Sequence, residues 1–308
     1  MIFAILTAIS YPLSAICGKQ LTGAFGSQRA NLYRLILATG ILGIIALLFF
    51  RQSFHPTTFS WFFFSGLIGF GIGDVALFLA YHAIGSRLTV LLNFCTATVF
   101  GLVTEFLWLG TTIRPLEMLA IVVILTGLCI AVLFTPASNA ARHGSFKFGI
   151  AAAVIAGFGQ GVGAVISRHA GGLAFDLGIG PINGLSQAFQ RITAGLLFAM
   201  IVVGVLHLRS RHKPGMTEPP QRPARGRSLP FWLLGAAMFG PVIGVSCFQA
   251  ALADLPSAIV LAIVSTSPIV VIPFAFIFEG DRPTRASCLG AITGVAGVVW
   301  ICLLRGGS

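Results

Sequence analysis

The chain has 308 residues, of which 56% are hydrophobic and only 9% are charged, and its formal net charge is +11. A soluble globular domain carries roughly 25% charged residues, so this composition excludes a water-soluble fold and indicates a polytopic membrane protein. The basic residues lie in short connections between apolar runs. That distribution fits loops beside anionic lipid and argues against nucleic acid as a partner.

Ten apolar segments reach or approach the length of about 20 residues that crosses a bilayer. Because each run is continuous rather than alternating, the sequence predicts helices. No basic region precedes the first run, so we expect it to span the membrane rather than to be a cleaved signal. In chain order, the predicted spans are 2–18, 30–50, 59–82, 87–109, 115–135, 147–167, 182–208, 229–252, 257–278 and 285–304.

Two polar connections organise the chain. The predicted linker 137–146 separates a first five-helix repeat, residues 1–136, from a second repeat, residues 147–308. The second connection, 209–228, is rich in arginine and proline. Such a composition cannot bury a core, so we expect this basic loop to be disordered or to lie on the membrane surface.

The back half repeats features of the front half. Arg34 stands near the start of the second span and Arg191 lies inside the seventh, and each is followed by a long stretch without another charge. Residues from Leu109 to Gly127 match those from Glu279 to Gly297 at a constant offset of 170 positions. Five spans per half is an odd number, so the second copy is expected to be inverted. The predicted fold class is therefore an all-α polytopic membrane protein with ten transmembrane helices in two inverted five-helix repeats.

The motifs within these repeats resemble a known family, the EamA-type transporters of the drug/metabolite transporter superfamily, and the likeness extends over the whole chain. They are Tyr33-Arg34-Leu35, Leu109-Gly110 with Arg114-Pro115-Leu116, Gln190-Arg191-Ile192 and Phe278-Glu279-Gly280-Asp281-Arg282-Pro283. The resemblance implies a secondary transporter that exports small metabolites, amino acids or drug-like compounds. We expect it in the inner (plasma) membrane as a multi-pass protein. The family usually carries an acidic residue where this chain has Thr111.

Charged residues inside the predicted spans are candidates for coupling or gating, namely Arg34, Asp74, Glu105 and Arg191. A charge at mid-bilayer costs about 2.5–3.5 kcal/mol even on a lenient scale, so each needs a reason to be there. Counting helix rise from the span ends predicts two ion pairs towards opposite faces, Arg34 with Asp74 and Arg191 with Glu105. These pairs either switch and line a cavity or form static bridges. Asp74 is also the candidate site for a coupling proton, against which an arginine partner argues.

Uncharged polar residues near mid-span are the predicted lining of a substrate cavity. Pro268 supports this interpretation, because a proline frees a backbone carbonyl inside its helix. The alternative is that these small polar side chains only hydrogen-bond helices together. The candidates are Asn93, Thr96, Thr98, Gln187, Gln190, Gln249, Ser265, Thr266 and Ser267.

Other functional classes find little support in the sequence. An intramembrane lipid-modifying enzyme or a non-transporting scaffold is the alternative function, but no nucleophile with a base and no metal-binding motif is evident. The six cysteines are widely spaced within apolar runs and are interpreted as packing residues. We therefore expect a protein that is not an enzyme and uses no cofactor or metal. Its expected partners are a small-molecule substrate, the bilayer and a coupling proton, and it is either a monomer or a homodimer.

The orientation of the chain is left open by two opposing signals. With ten spans, the loops on the side of the termini carry four basic residues and the loops on the other side carry thirteen. The positive-inside rule then places both termini outside. The family resemblance implies termini inside.

Overall fold

The chain is described by a computed structural model that covers residues 1–84, 86–134, 145–212, 228–270 and 284–306. These residues form helices and their connections, without a strand. A short 3-10 turn, Arg51–Ser53, follows the second helix. The helices are α1 (Ile2–Phe25), α2 (Ser27–Phe49), α3 (Pro56–Gly66), α4 (Asp74–Ile84), α5 (Ser86–Leu109), α6 (Pro115–Leu133), α7 (Phe146–Asp176), α8 (Gly184–His212), α9 (Leu229–Ala237), α10 (Val245–Asp254), α11 (Ser257–Val264) and α12 (Arg285–Gly306).

Eight helical stretches in this part of the chain are long and apolar enough to cross a membrane. Two shorter apolar helices, Ile2–Gly18 and Ser257–Val270, correspond to the first and ninth predicted spans. All-helical membrane architecture is therefore confirmed, whereas the count of ten spans and the inverted relation of the repeats stay predictions. The end of the ninth predicted span, the motif from Phe278, most of the linker 137–146 and most of the basic loop 209–228 lie outside the described residues.

Two predicted spans, 59–82 and 229–252, are each interrupted by a π-helical stretch. Leu67–Gly73 joins α3 to α4, and Met238–Gly244 joins α9 to α10. The two stretches occupy matching positions in the two halves, and both carry glycine at their third and seventh residues. A π-helical turn accommodates one extra residue, and such turns occur frequently at functional sites. Pro241 contributes in the second stretch because it has no backbone N–H to donate.

The sixth predicted span, 147–167, is wrong at its end, because α7 continues to Asp176. The prediction assigned Arg168 to the loop after that span. In the structure this arginine lies within α7 and is paired with a carboxylate, so its charge gives the helix no reason to stop.

The two halves interlock. Helix α7 packs against α3, α4 and the first π-helical stretch, whereas α1 packs against α9 and the second stretch. Helices α2 and α8 face each other across the middle, and α11 is buried along its whole length. Each half thus supplies helices that line the other half.

Glycines bring the helix backbones close together. On the face of α6 that meets α12, Gly127 lies against the backbones of Gly290 and Gly294. Gly297 lies against Ile124 and the carbonyl of Ala120. At the predicted offset Gly127 corresponds to Gly297 and Ala120 to Gly290. The contact between Gly127 and Gly290 is therefore equivalent, by the repeat, to the contact between Gly297 and Ala120. The pairing of α6 with α12 therefore respects the repeat that the sequence predicts.

Candidate functional site

The centre of the molecule holds a cluster of ionisable side chains from four helices. It consists of Tyr11 on α1, Arg34 on α2, Asp74 at the start of α4 and Arg191 on α8, and we call it the central cluster. Arg34 Nη2 lies 4.0 Å from Asp74 Oδ2, where the sequence predicted an ion pair. Arg34 also donates a hydrogen bond of 2.7 Å to Asn31 Oδ1.

Arg191 joins this same cluster, so the prediction that it pairs with Glu105 is wrong. Its charge interacts with Tyr11 and with Asp74, and Asp74 also interacts with Arg34. The prediction located each charge at its Cα, but a long arginine side chain carries its charge well away from that point. The two arginines therefore act on one shared carboxylate instead of serving separate acids near opposite faces.

Aromatic rings enclose the Arg191 guanidinium. Its Cζ atom lies 5.3 Å from the centroid of Phe70 and 5.9 Å from that of Phe248, distances at which a cation and a π-system attract each other. Phe70 belongs to the first π-helical stretch and Phe248 to α10. Arg191 is only 4% exposed, so this attraction occurs away from bulk water.

Each arginine contacts the π-helical stretch of the opposite half at the same position. A Cβ atom added to Gly69 would lie 3.1 Å from Arg191 Nη2, and one added to Gly240 would lie 3.6 Å from Arg34 Nη1. Both glycines are the third residue of their stretch. This relation was not predicted from the sequence. The pattern Gly-x-x-Ile-Gly, which occurs in both halves, could have revealed it.

Several buried polar atoms of the cluster and of α8 and α10, the helices that carry Arg191 and Phe248, have no hydrogen-bond partner within the described residues. They are Arg34 Nε, Asp74 Oδ2, Arg191 Nε, Gln190 Oε1, both amide atoms of Gln249, Ser186 Oγ and Ser246 Oγ. The amide and hydroxyl groups of this set belong to α8 and α10. Nearly all buried polar groups in proteins are hydrogen-bonded, so a concentration of unpaired ones requires an explanation such as water or a ligand. Gln190 and Gln249 thus remain the strongest of the predicted cavity residues.

The other predicted cavity residues have partners inside the protein. The hydroxyls of Ser265, Thr266 and Ser267 donate to carbonyls three residues earlier in the chain, at 2.6–2.7 Å. The hydroxyls of Thr96 and Thr98 likewise donate within α5. These five side chains need no external partner, and their role in binding stays a prediction.

Two further predicted residues make hydrogen bonds elsewhere in the bundle. Asn93 Nδ2 donates to Gln160 Oε1 at 2.8 Å and so links α5 to α7. Gln187 Nε2 donates to the carbonyl of Ile182 at 2.8 Å, just before α8. The Asn93 amide therefore joins two helices and the Gln187 amide joins α8 to the segment before it, and their contact with a substrate stays a prediction.

A second group of buried charges lies where the two ends of the described chain meet. Glu105, 2% exposed, has Oε1 at 2.9 Å from Arg168 Nε. Its Oε2 accepts hydrogen bonds from the backbone N–H of Ser257, at 2.6 Å, and from the hydroxyl of the same residue. Arg168 also donates to the carbonyls of Leu252 and Leu255. The pair thus joins α5 and α7 to the break between α10 and α11.

A second ion pair lies close by. Arg305 Nε is 2.8 Å from Glu117 Oε1, and Glu117 Oε2 accepts from the backbone N–H of Arg114 at 3.1 Å. We call the two pairs together the end network. Sequence reasoning missed Glu117, Arg168 and Arg305, although the Arg114-Pro115-Leu116-Glu117 sequence is typical of a helix start with an acid that caps its first turn. A cavity of about 280 Å³ lies there, lined by Met1, Arg114, Glu117, Asp254, Leu255 and Arg305.

Apolar helices in two interlocked halves, with charges buried where the halves meet, define the class of polytopic membrane transporters. The sequence model of the EamA-like transporter family matches residues 1–133 and again residues 147–303. The chain therefore belongs to this family, within the drug/metabolite transporter superfamily, and is a multi-pass membrane protein built from two EamA-like repeats.

Solved structures support the same fold. A crystal structure of a protein with 18% sequence identity covers 98% of this chain and 95% of its own, with a TM-score of 0.69. No curated protein matches the sequence. Within the described residues, no three His, Cys, Asp or Glu side chains come together as metal ligands.

Proposed function

We propose that this chain is a secondary active transporter that exports small metabolites, amino acids or drug-like compounds across the inner membrane by alternating access. The central cluster is its binding site. The observation that carries the proposal is the group of buried, unpaired polar atoms in the cluster and on α8 and α10, the helices that carry Arg191 and Phe248. The two arginines occupy related positions in the two repeats, so the site lies on the axis about which the halves exchange.

The π-helical stretches are the bending points of this mechanism. Each contains glycines, lies in the middle of a membrane-crossing helix and touches the arginine of the opposite half. With five helices per inverted repeat, bending one stretch opens the site to one face, and bending the other opens it to the opposite face. The substrate then enters and leaves around Arg34 and Arg191, while the end network closes one path.

A proton bound at Asp74 couples transport to the proton gradient. The Arg34–Asp74 contact of 4.0 Å is long for an ion pair, and 24% and 21% of the two side chains remain exposed. A proton on Asp74 would release Arg34 and change the charge that the substrate meets. A transport rate in liposomes that does not respond to an imposed proton gradient would remove this step from the mechanism.

The test compares metabolites in the medium of cells that produce the wild-type chain, Arg191→Gln or Arg29→Gln at equal measured abundance. Arg29 is an exposed arginine on α2, so its replacement removes the same charge outside the cluster. We expect the wild type and Arg29→Gln to enrich the same compounds. Arg191→Gln should lower that enrichment by roughly tenfold or more. Undiminished export by Arg191→Gln would contradict the proposal.

A further inference from the structure

The charges of the central cluster do not balance. Asp74 interacts with Arg34 and Arg191, and Arg191 interacts with Tyr11 and Asp74. With a neutral tyrosine, two guanidinium groups share one carboxylate, and the cluster carries one positive charge in excess. An excess charge inside a membrane protein is unfavourable unless a partner neutralises it.

The excess charge belongs to Arg191. Arg34 already has a carboxylate at 4.0 Å and an amide acceptor at 2.7 Å. Within the described residues, Arg191 has no hydrogen-bond acceptor and no carboxylate within ion-pair distance, and its Nε is buried without a partner. Its neighbours include two aromatic rings and the glycine surface at Gly69 and Gly163. A guanidinium in this setting offers planar, paired donors to an oxyanion.

Neutral donors on α10, the helix that carries Phe248, suit the same kind of ligand. Gln249, which follows the ring residue Phe248, is fully buried and leaves its Nε2 donor unpaired. Ser246 on the same helix leaves its hydroxyl unpaired. A carboxylate accepts several hydrogen bonds at once, from a guanidinium and from neutral donors around it. The apolar remainder of such a ligand would lie against Phe70 and Phe248.

We propose that the site is selective for organic anions of net charge −1, whose carboxylate or equivalent oxyanion binds to Arg191. This inference rests on the transport function proposed above and adds the charge class of its substrate. The bound anion cancels the excess positive charge of the cluster. A compound without an oxyanion would leave Arg191 buried and unpaired, and a zwitterion would leave the excess charge of the cluster uncancelled, so the site rejects both.

Four chains at equal measured abundance test this inference, and the compounds that each enriches in the culture medium are sorted by their charge at neutral pH. Arg191→Gln removes the excess charge, whereas Arg29→Gln removes an exposed charge outside the cluster and keeps the excess. Arg191→Lys keeps the charge but loses the paired donors. The fourth chain is the wild type, for which we expect the enriched compounds to be carboxylates or other oxyanions of charge −1.

The variants should separate charge from geometry. Arg191→Gln should lower this enrichment by roughly tenfold or more. Arg191→Lys should enrich the same anions more weakly, and Arg29→Gln should enrich them as the wild type does. Enrichment of neutral or cationic compounds by the wild type would overturn the inference and leave the transport function intact. If no compound is enriched, the transport function fails and the inference fails with it.

Discussion

The molecule buries charge in two places, and it treats the two differently. In the end network, each buried carboxylate has an arginine at 2.8–2.9 Å and a hydrogen-bond donor on its other oxygen: Glu105 contacts Arg168 and Ser257, and Glu117 contacts Arg305 and the Arg114 backbone. Glu105 Oε1 makes this close ion pair without a hydrogen bond. In the central cluster, buried atoms of Arg34, Asp74 and Arg191 have no hydrogen-bond partner within the described residues. The arginines of the ion pairs are exposed to a similar extent in both places, 24% for Arg34 and for Arg168 and 26% for Arg305, so burial alone does not distinguish the two places.

The difference indicates which cluster holds the fold together and which is free to bind. A buried charge whose partners are all supplied by the protein fixes the helices that supply them. A buried charge whose hydrogen bonds the protein leaves unmade is a candidate functional group. We therefore interpret the end network as a structural contact that holds its helices together. We interpret the central cluster as a binding site whose unpaired groups a substrate would satisfy.

The largest expected effect is on stability, and it separates the two clusters. Glu105→Ala leaves Arg168 and the start of α11 without their carboxylate, so the free energy of unfolding should fall by about 3–5 kcal/mol. Arg191→Gln removes an unpaired cation and should change it by less than about 1 kcal/mol. Chemical unfolding of the purified variants in detergent measures both. Glu105→Gln is the matched control, since it keeps an acceptor for Ser257 and should fall between them.

The opposite result would reverse the assignment of roles. If Arg191→Gln lowers the free energy of unfolding as much as Glu105→Ala does, the role of Arg191 is to hold helices together and not to bind a substrate. Equal stability of Glu105→Ala and the wild type would show that the end network is dispensable for folding.

An intermediate effect is expected at two glycines of the first half that both face Arg191. A methyl group at Gly66 would collide with the Arg191 carbonyl, which is backbone, so Gly66→Ala should lower the free energy of unfolding by about 1–3 kcal/mol. At Gly69 the nearest atom is Arg191 Nη2, at 3.1 Å, the mobile end of a side chain. Gly69→Ala should therefore change stability by less than about 1 kcal/mol but lower transport. Unfolding and transport measured on both variants distinguish backbone packing from the site, and unchanged transport by Gly69→Ala would contradict the proposed contact.

Features that depend on neighbouring residues in the chain could be predicted from the sequence, whereas features that depend on three-dimensional contacts could not. Apolar runs, the repeat and the proximity of Arg34 and Asp74 follow from hydropathy and helix rise alone. The π-helical stretches did not follow, because a membrane helix is apolar on most faces and its periodicity does not reveal one extra residue. The partner of Glu105 was missed because Arg168 was assigned to a loop.

The sequence was least able to predict which buried polar groups have hydrogen-bond partners within the protein. Gln249 and Thr266 look equivalent there, since both are polar residues in apolar runs. In the structure, the hydroxyl of Thr266 donates to Ile263 in its own helix at 2.7 Å, whereas Gln249 leaves both amide atoms unpaired. Only three-dimensional neighbours decide whether a buried polar group is already satisfied.

That contrast gives the smallest predicted effect. Thr266→Val removes a hydrogen bond within one helix, so the free energy of unfolding should change by less than about 1 kcal/mol and transport by less than about twofold. Gln249→Leu removes an unpaired amide at similar cost to stability, yet transport should fall by roughly fivefold or more because the substrate loses its donor. Parallel unfolding and export measurements test the pair. Loss of transport in Thr266→Val with no loss in Gln249→Leu would move the binding site from α10 to the helix that contains Thr266.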